Sequence, residues 1–326
     1  MLKLRFTPNS VLVTVVTIFL MQTALFGYSY VSKQNLGNVI SDKVPMGKNV
    51  PAHFTYNIYG SFGTAALLRP LAVTVADRRI YVSDPDAQRV QVFDYDGKPL
   101  FTFGKPGTGK GEFRFPYGIA AGGGRVYVAD MYNQVVQVYD ANGEFIDNLV
   151  KEGKEFSSPA GLFLSGDRLY VTDVGLNQVK VFTLEGNKVL EFGKKGNGNG
   201  EFIAPNGITV NGGRIYVTDS VNNRVQVFDQ QGKFLLAFNG AKTPGGNAIF
   251  VNPRGVGVDG RGVVYVASNM TNFIYGFDDQ GKELFHFGGV GGEDGQLFLP
   301  NGLFVDGQGR IYITDTANQR VSIFQN

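Results

Sequence analysis

A proline recurs six times at almost constant spacing, at Pro70, Pro116, Pro159, Pro205, Pro253 and Pro300, with intervals of 46, 43, 46, 48 and 47 residues. Each proline leads into a short apolar run: LAVTV, YGIAA, AGLFL, NGITV, RGVGV and NGLFV. A turn follows, then IYVSD, VYVAD, LYVTD, IYVTD, VYVAS and IYITD, and then RVQVFD, VVQVYD, QVKVFT, RVQVFD, FIYGFD and RVSIF. A fourth run, such as PLFTFG, KVLEFG or ELFHFG, completes the unit. The step from the tyrosine of the second run to the apolar start of the third (Tyr81 to Val90, Tyr312 to Val321) is nine residues in every copy. Self-similarity at this period excludes most single-core folds before any other feature is considered.

Four short β-runs per unit of roughly 40–50 residues describe one blade of a propeller. The runs are apolar almost throughout because neighbouring blades cover both faces of each sheet. A lone blade would leave those faces in water, so the copies are stable only as a ring. The predicted fold class is all-β: a six-bladed β-propeller of four-stranded antiparallel blades over residues 53–326. The sixth repeat ends with three runs, and FTYNIYG, from Phe54 to Gly60, matches the absent outermost one. This N-terminal strand is expected to complete the last blade by pairing with Arg320–Phe324. Such an exchange joins the chain ends and removes an unpaired edge.

These motifs resemble the NHL-repeat family of six-bladed propellers. The pattern Pro-x-Gly-hydrophobic, hydrophobic-Tyr-Val-x-Asp and Asn-x-Arg-Val-x-Val-Phe-Asp recurs in register across residues 53–326. The resemblance implies a fold and a habit of binding, and it assigns no one activity.

Upstream, no charged residue stands between Arg5 and Lys33. Val11–Tyr30 (VLVTVVTIFLMQTALFGYSY) has about the length that crosses a bilayer core, and Lys3 and Arg5 precede it. Residues 1–31 are therefore expected to form a signal-anchor transmembrane helix with a cytoplasmic N-terminus. A cleaved signal peptide is the alternative, although Ala24, Gly27 and Ser29 make poor cleavage sites. Residues 32–52, polar and broken by Gly and Pro, read as a tether. The propeller is then expected on the extracytoplasmic side, periplasmic or extracellular.

Composition narrows the function classes. There are 45 glycines, 27 phenylalanines and 15 tyrosines, but no cysteine or tryptophan. Without cysteine there is no disulfide, thiol nucleophile or thiolate metal site. Lys3 and Arg5 account for the whole net charge of +2, so residues 33–326 carry equal numbers of each sign. A neutral body lacks the basic footprint of a nucleic-acid binder.

Positions shared by nearly every blade are expected to be architectural. Asp84, Asp130, Asp173, Asp219 and Asp315 end the second runs, with Ser268 in the fifth blade. They are expected to accept turn N–H groups, with Asn133, Asn177, Asn222 and Asn318 beside them and Arg89, Arg224 and Arg320 as pairing cations. Gly118, Gly161, Gly207, Gly255 and Gly302 open innermost strands, where crowding at the axis favours an absent side chain. GKPGTGKGEF and GKKGNGNGEF lack the GxxxxGK[ST] pattern of phosphate loops and read as blade connections.

Function is expected where the copies differ. The residues after the prolines are Leu71, Tyr117, Ala160, Asn206, Arg254 and Asn301, placed at the channel mouth. Arg254 suits a carboxylate or phosphate. With Met131, Tyr132, Val174–Leu176, Asn269–Thr271 and Phe250 from the longest connection, they would form an apolar patch with a polar rim. The candidate binding set is Tyr117, Met131, Tyr132, Asn206, Phe250, Arg254 and Asn301. No catalytic residue, metal or cofactor is assigned. The two histidines, His53 at the end of the tether and His286 expected on the solvated rim, cannot build a His-rich metal site. The expected function is a non-catalytic protein-binding scaffold at a membrane, serving as a subunit of a membrane-associated complex, with a small-molecule ligand left open. The alternative is a lyase or hydrolase with a channel-mouth active site.

Overall fold

The second and third runs of every repeat are buried almost end to end, whereas the outermost runs alternate. Arg79–Asp84 and Arg89–Asp94 are apolar and covered on both sides, but Pro99–Phe103 leaves Leu100 facing solvent. Ile146, Val189, Leu235 and Leu284 are exposed at the equivalent rim positions. This contrast is what radial stacking imposes: inner strands lie between neighbouring blades, and outer strands diverge into water.

In the computed structural model, which describes residues 52–60, 66–151, 153–240 and 246–326, six four-stranded antiparallel sheets follow one another. The innermost strands are Ala72–Ala76, Pro116–Gly122, Pro159–Ser165, Pro205–Asn211, Pro253–Val258 and Pro300–Val305, numbered here as blades 1 to 6. The expected anchor over 1–31 and the tether, apart from Ala52, lie outside the described residues. Among the described residues, no helix is long and apolar enough to cross a membrane.

Ring closure follows the sequence expectation. His53–Ile58 pairs antiparallel with Arg320–Gln325, with Phe54 opposite Phe324 and Ile58 opposite Val321. Apolar clusters fill the gaps between consecutive blades. Tyr81, Val90 and Val92 of blade 1, for example, pack on Ile119, Val126 and Val128 of blade 2.

The aspartates tie each blade to the segment that leads into it. Asp130 accepts the backbone N–H groups of Arg114 and Phe115, both at 2.9 Å. Asp84 and Asp173 hold Arg69 and Ser157–Ser158 in the same way. Turn N–H groups also donate, as expected: Asn133 to Asp130 at 3.2 Å, and Gly175 and Leu176 to Asp173 at 3.0 Å. Asn133, Asn222 and Asn318 donate to their aspartates at 2.7–2.8 Å. Asn177 departs from expectation: it sits four residues after Asp173, and its side-chain oxygen accepts the Ala204 N–H from the next blade's incoming segment at 3.0 Å. Arg89, Arg224 and Arg320 pair with Asp84, Asp219 and Asp315.

The axial glycines are there for backbone proximity. A Cβ on Gly118, Gly161 or Gly207 would overlap the carbonyl oxygen of Ala160, Asn206 or Arg254 on the following blade. The connections also alternate, which the repeat pattern alone does not reveal. Those from blade 1 to 2, 3 to 4 and 5 to 6 share one design. Gly104, Gly193 and Gly288 take φ of +86°, +94° and +98°, where a side chain would strike Phe113, Phe202 or Leu297. Those three apolar residues are fully buried, and each anchors a short parallel bridge. The glycine-rich stretches are therefore structural loops. In two of them, Glu112 and Glu201 accept a glycine N–H.

Candidate functional site

Blade connections and the turns between second and third strands lie on one face, as backbone contacts such as Met131 N–H to Phe115 C=O (3.1 Å) and Val174 N–H to Ser158 C=O (3.0 Å) demonstrate. At its centre, five of the six residues after the prolines, Leu71, Tyr117, Asn206, Arg254 and Asn301, line the channel mouth.

Their backbone is fixed from behind by hydroxyls on second strands. Ser83 Oγ donates to Tyr117 C=O at 2.6 Å, Thr172 Oγ1 to Asn206 C=O at 2.6 Å, and Thr218 Oγ1 to Arg254 C=O at 2.8 Å. Each bond runs from one blade to the next, so the mouth is positioned by the ring as a whole. Sequence reasoning passed over these hydroxyls. The signal was the Ser or Thr that stands just before the aspartate in four copies, at Ser83, Thr172, Thr218 and Thr314.

Tyr117 crosses this ring. Its hydroxyl lies 3.0 Å from Oδ1 of Asn206 and 3.2 Å from Oδ1 of Asn301, linking blades 2, 4 and 6. Tyr117 and Asn206 are only 8% and 3% exposed. Tyr117 therefore closes the mouth and has its hydroxyl engaged internally, rather than offering it to a partner. Behind it, Val73, Ile119, Leu162, Ile208, Val256 and Leu303, with Thr74 and Thr209, line a channel segment with a cavity of about 150 Å³.

Arg254 is different. It lines the mouth, and among the described residues no carboxylate lines it with Arg254 and the buried Arg254 Nε has no hydrogen-bond partner.

Tyr132 belongs to an aromatic stack that leads away from the mouth. Its ring lies 4.7 Å from that of Phe115 in a stacked arrangement, and Phe115 lies 6.2 Å from Tyr117. Arg114 sits over Tyr132 at 5.9 Å and Arg69 over Phe115 at 5.7 Å, both within cation–π range. Burial pushes the Tyr132 phenol above its usual range, although Arg69 and Arg114 pull the other way. Phe115, the residue before the second proline, was not among the candidates. Its position varies between copies (Arg69, Phe115, Ser158, Ala204, Asn252 and Leu299), and that variation could have identified it. Met131 is half-buried beside this stack.

Phe250 requires correction. It is fully buried, with its ring against Tyr275 and Phe277, and belongs to the core between blades 4 and 5. The sequence expectation places this aromatic of a long connection at the surface, but the connection folds inward and uses it as its anchor. The apolar surface comes instead from Leu68, Leu176, Val221, Val251 and Met270, all at least 40% exposed on this face.

His286 also departs from the expected solvated rim. It is 6% exposed, packs against Phe273 and Tyr275, and holds its Nδ1 2.8 Å from Glu283 Oε1. His53 is exposed at the start of the closing strand. Among the described residues, no group of three His, Asp or Glu side chains converges in a manner that could hold a metal ion.

The NHL repeat pattern matches residues 202–228 and 299–324, and that of a 6-bladed beta-propeller family matches residues 66–149. No curated protein matches the chain by sequence. Virginiamycin B lyase from Staphylococcus aureus superposes with a TM-score of 0.57 at 15% identity, over 84% of this chain and 99% of that one. A structural-genomics protein of unknown function from Bacteroides thetaiotaomicron gives a TM-score of 0.61 at 16% identity, over 83% and 73%. Kuenenia stuttgartiensis hydrazine synthase gives 0.55 at 15% identity, over 83% and 99%. At such identities the likeness concerns the fold alone. Sheet count, closure and matched motifs agree: this chain is a six-bladed β-propeller that carries NHL repeats.

Proposed function

We propose that the chain is a non-catalytic binding module that docks a protein partner on its loop face, held beside a membrane on the extracytoplasmic side by its N-terminal segment. The observation that carries this reading is the exposure of Leu68, Leu176, Val221, Val251 and Met270 on the face that also bears the Tyr132–Phe115 stack. Apolar and aromatic side chains grouped on a rigid surface with charged neighbours have the makeup of a protein interface. The uncharged run from Val11 to Tyr30 supports the anchor, and a tether would raise the local concentration of a membrane-borne partner. Cross-linking in intact membranes, followed by mass spectrometry, identifies the partner. Leu176→Asp together with Met270→Asp is expected to abolish the cross-link while leaving thermal unfolding unchanged. An undiminished cross-link would reject the face.

A lyase or hydrolase at the channel mouth is the competing reading, supported by the fold likeness to virginiamycin B lyase. Elemental analysis of metal-stripped and reloaded protein tests a metal-dependent form of it.

A further inference from the structure

We propose that the channel mouth is a carboxylate-binding site, with Arg254 as the charge and the side-chain amides of Asn206 and Asn301 as flanking donors. The inference rests on the loop face being a binding surface and assigns the chemistry recognised at its centre.

The one proton of the Tyr117 hydroxyl goes to Oδ1 of Asn206 at 3.0 Å, which turns that amide nitrogen away from the phenol, and Oδ1 of Asn301 lies 3.2 Å from the same hydroxyl. Neither nitrogen reaches an acceptor among the described residues, and the Arg254 guanidinium has no ion pair or hydrogen bond there either. The Arg254 Nε is buried in that state. A buried polar atom normally finds a partner within the protein or in what the protein binds. The unused donors of this ring are the Arg254 guanidinium and the asparagine amide nitrogens, and among the described residues that line it none is acidic.

That combination selects for charge and shape. A neutral carbonyl acceptor would leave the cation uncompensated. A phosphate dianion calls for a second cation, and among the described residues Arg254 is the single cation lining the mouth. A carboxylate has one charge and two acceptor atoms in a plane, matching one guanidinium fork. The cavity of about 50 Å³ at the mouth suits a group of that size. Arg254 is also unrepeated: the other blades place Leu71, Tyr117, Ala160, Asn206 and Asn301 there. A residue present in one copy of six is not required for blade stacking.

The probe is dansyl-triglycine with a free C-terminal carboxylate, titrated into the full chain and followed by fluorescence anisotropy, with its C-terminal amide as control. The acid is expected to bind at least tenfold more tightly than the amide, and to weaken as sodium chloride is raised. Arg254→Met is expected to abolish that preference, and Arg254→Lys to retain part of it, while the unfolding temperature of neither variant falls. An N-acetylated, C-amidated Gly-Glu-Gly peptide separates the sources. Binding equal to that of the acid assigns recognition to any carboxylate, and weaker binding assigns it to a chain terminus. Equal affinity for acid and amide, binding unaffected by Arg254→Met, or an unfolding temperature lowered by several degrees in that variant would overturn the site. The docking face is judged separately by the Leu176→Asp, Met270→Asp protein. If that variant loses its partner but keeps tripeptide binding, both readings stand. If the parent chain discriminates no carboxylate yet cross-links normally, only the mouth site falls.

Discussion

The phenol of Tyr117 on blade 2 stands 3.0 Å from the side-chain oxygen of Asn206 on blade 4, bridging across the axis of the ring. Its second contact, with Asn301 on blade 6 at 3.2 Å, makes one hydroxyl a strut between alternate blades. The channel mouth is thereby closed by a residue that the linear motif would only place at its rim.

Removing that strut has a measurable cost. Tyr117→Phe retains the ring but removes the proton donated to Oδ1 of Asn206 at a buried site. Leaving a buried acceptor unsatisfied costs about 1–3 kcal/mol. Differential scanning calorimetry is expected to show an unfolding temperature lower by a few degrees. An unchanged temperature would mean that the contact contributes nothing.

Gly118→Ala tests the packing of innermost strands. The new methyl would overlap the Ala160 carbonyl of the next blade, and neither element can yield without shifting the ring. A loss of about 3 kcal/mol or more is expected, in the upper range for overpacked sites. Gly260→Ala is the matched control, because nothing lies within 4 Å of its added Cβ. Chemical denaturation of the two variants side by side should separate them clearly.

A charged cluster on blade 3 predicts sensitivity to acid. Lys180 and Lys188 lie 2.7 and 2.9 Å from Glu155, and Lys188 lies 2.7 Å from Glu191. Burial raises the Glu155 carboxyl, but the two lysines outweigh it and hold it below the ordinary range; Lys188 does the same for Glu191. Depressed folded values mean that this stabilisation is present above about pH 4.5 and disappears as pH falls through them. Lys188 is raised by the same partners, so its share is also lost at the alkaline end, above 10.5. These groups are partly solvated, which keeps the effect modest. The double variant Glu155→Gln, Glu191→Gln is expected to show a shallower fall in unfolding temperature between pH 6 and pH 3. Identical slopes would remove the cluster from the account.

What the sequence determined was the ring. Six copies with a proline, a Tyr-containing strand and a terminal aspartate in register can bury their faces only against one another, and Phe54–Tyr59 had one edge to complete. The closing pair Phe54–Phe324, the axial glycines and the structural role of the aspartates were legible because each repeats or has a single compatible partner, whereas the upstream segment that each aspartate holds was not. What tertiary structure decided was the fate of unrepeated side chains. Phe250 was drawn into the core by a connection whose path no motif specifies, and His286 lost its solvent to Phe273 and Tyr275. Tyr117 met two residues 89 and 184 positions away. Periodicity encodes which surfaces must stack, because burial of apolar area is shared by every copy. It carries no information on contacts made once, across the axis, which depend on the closed ring bringing distant loops together.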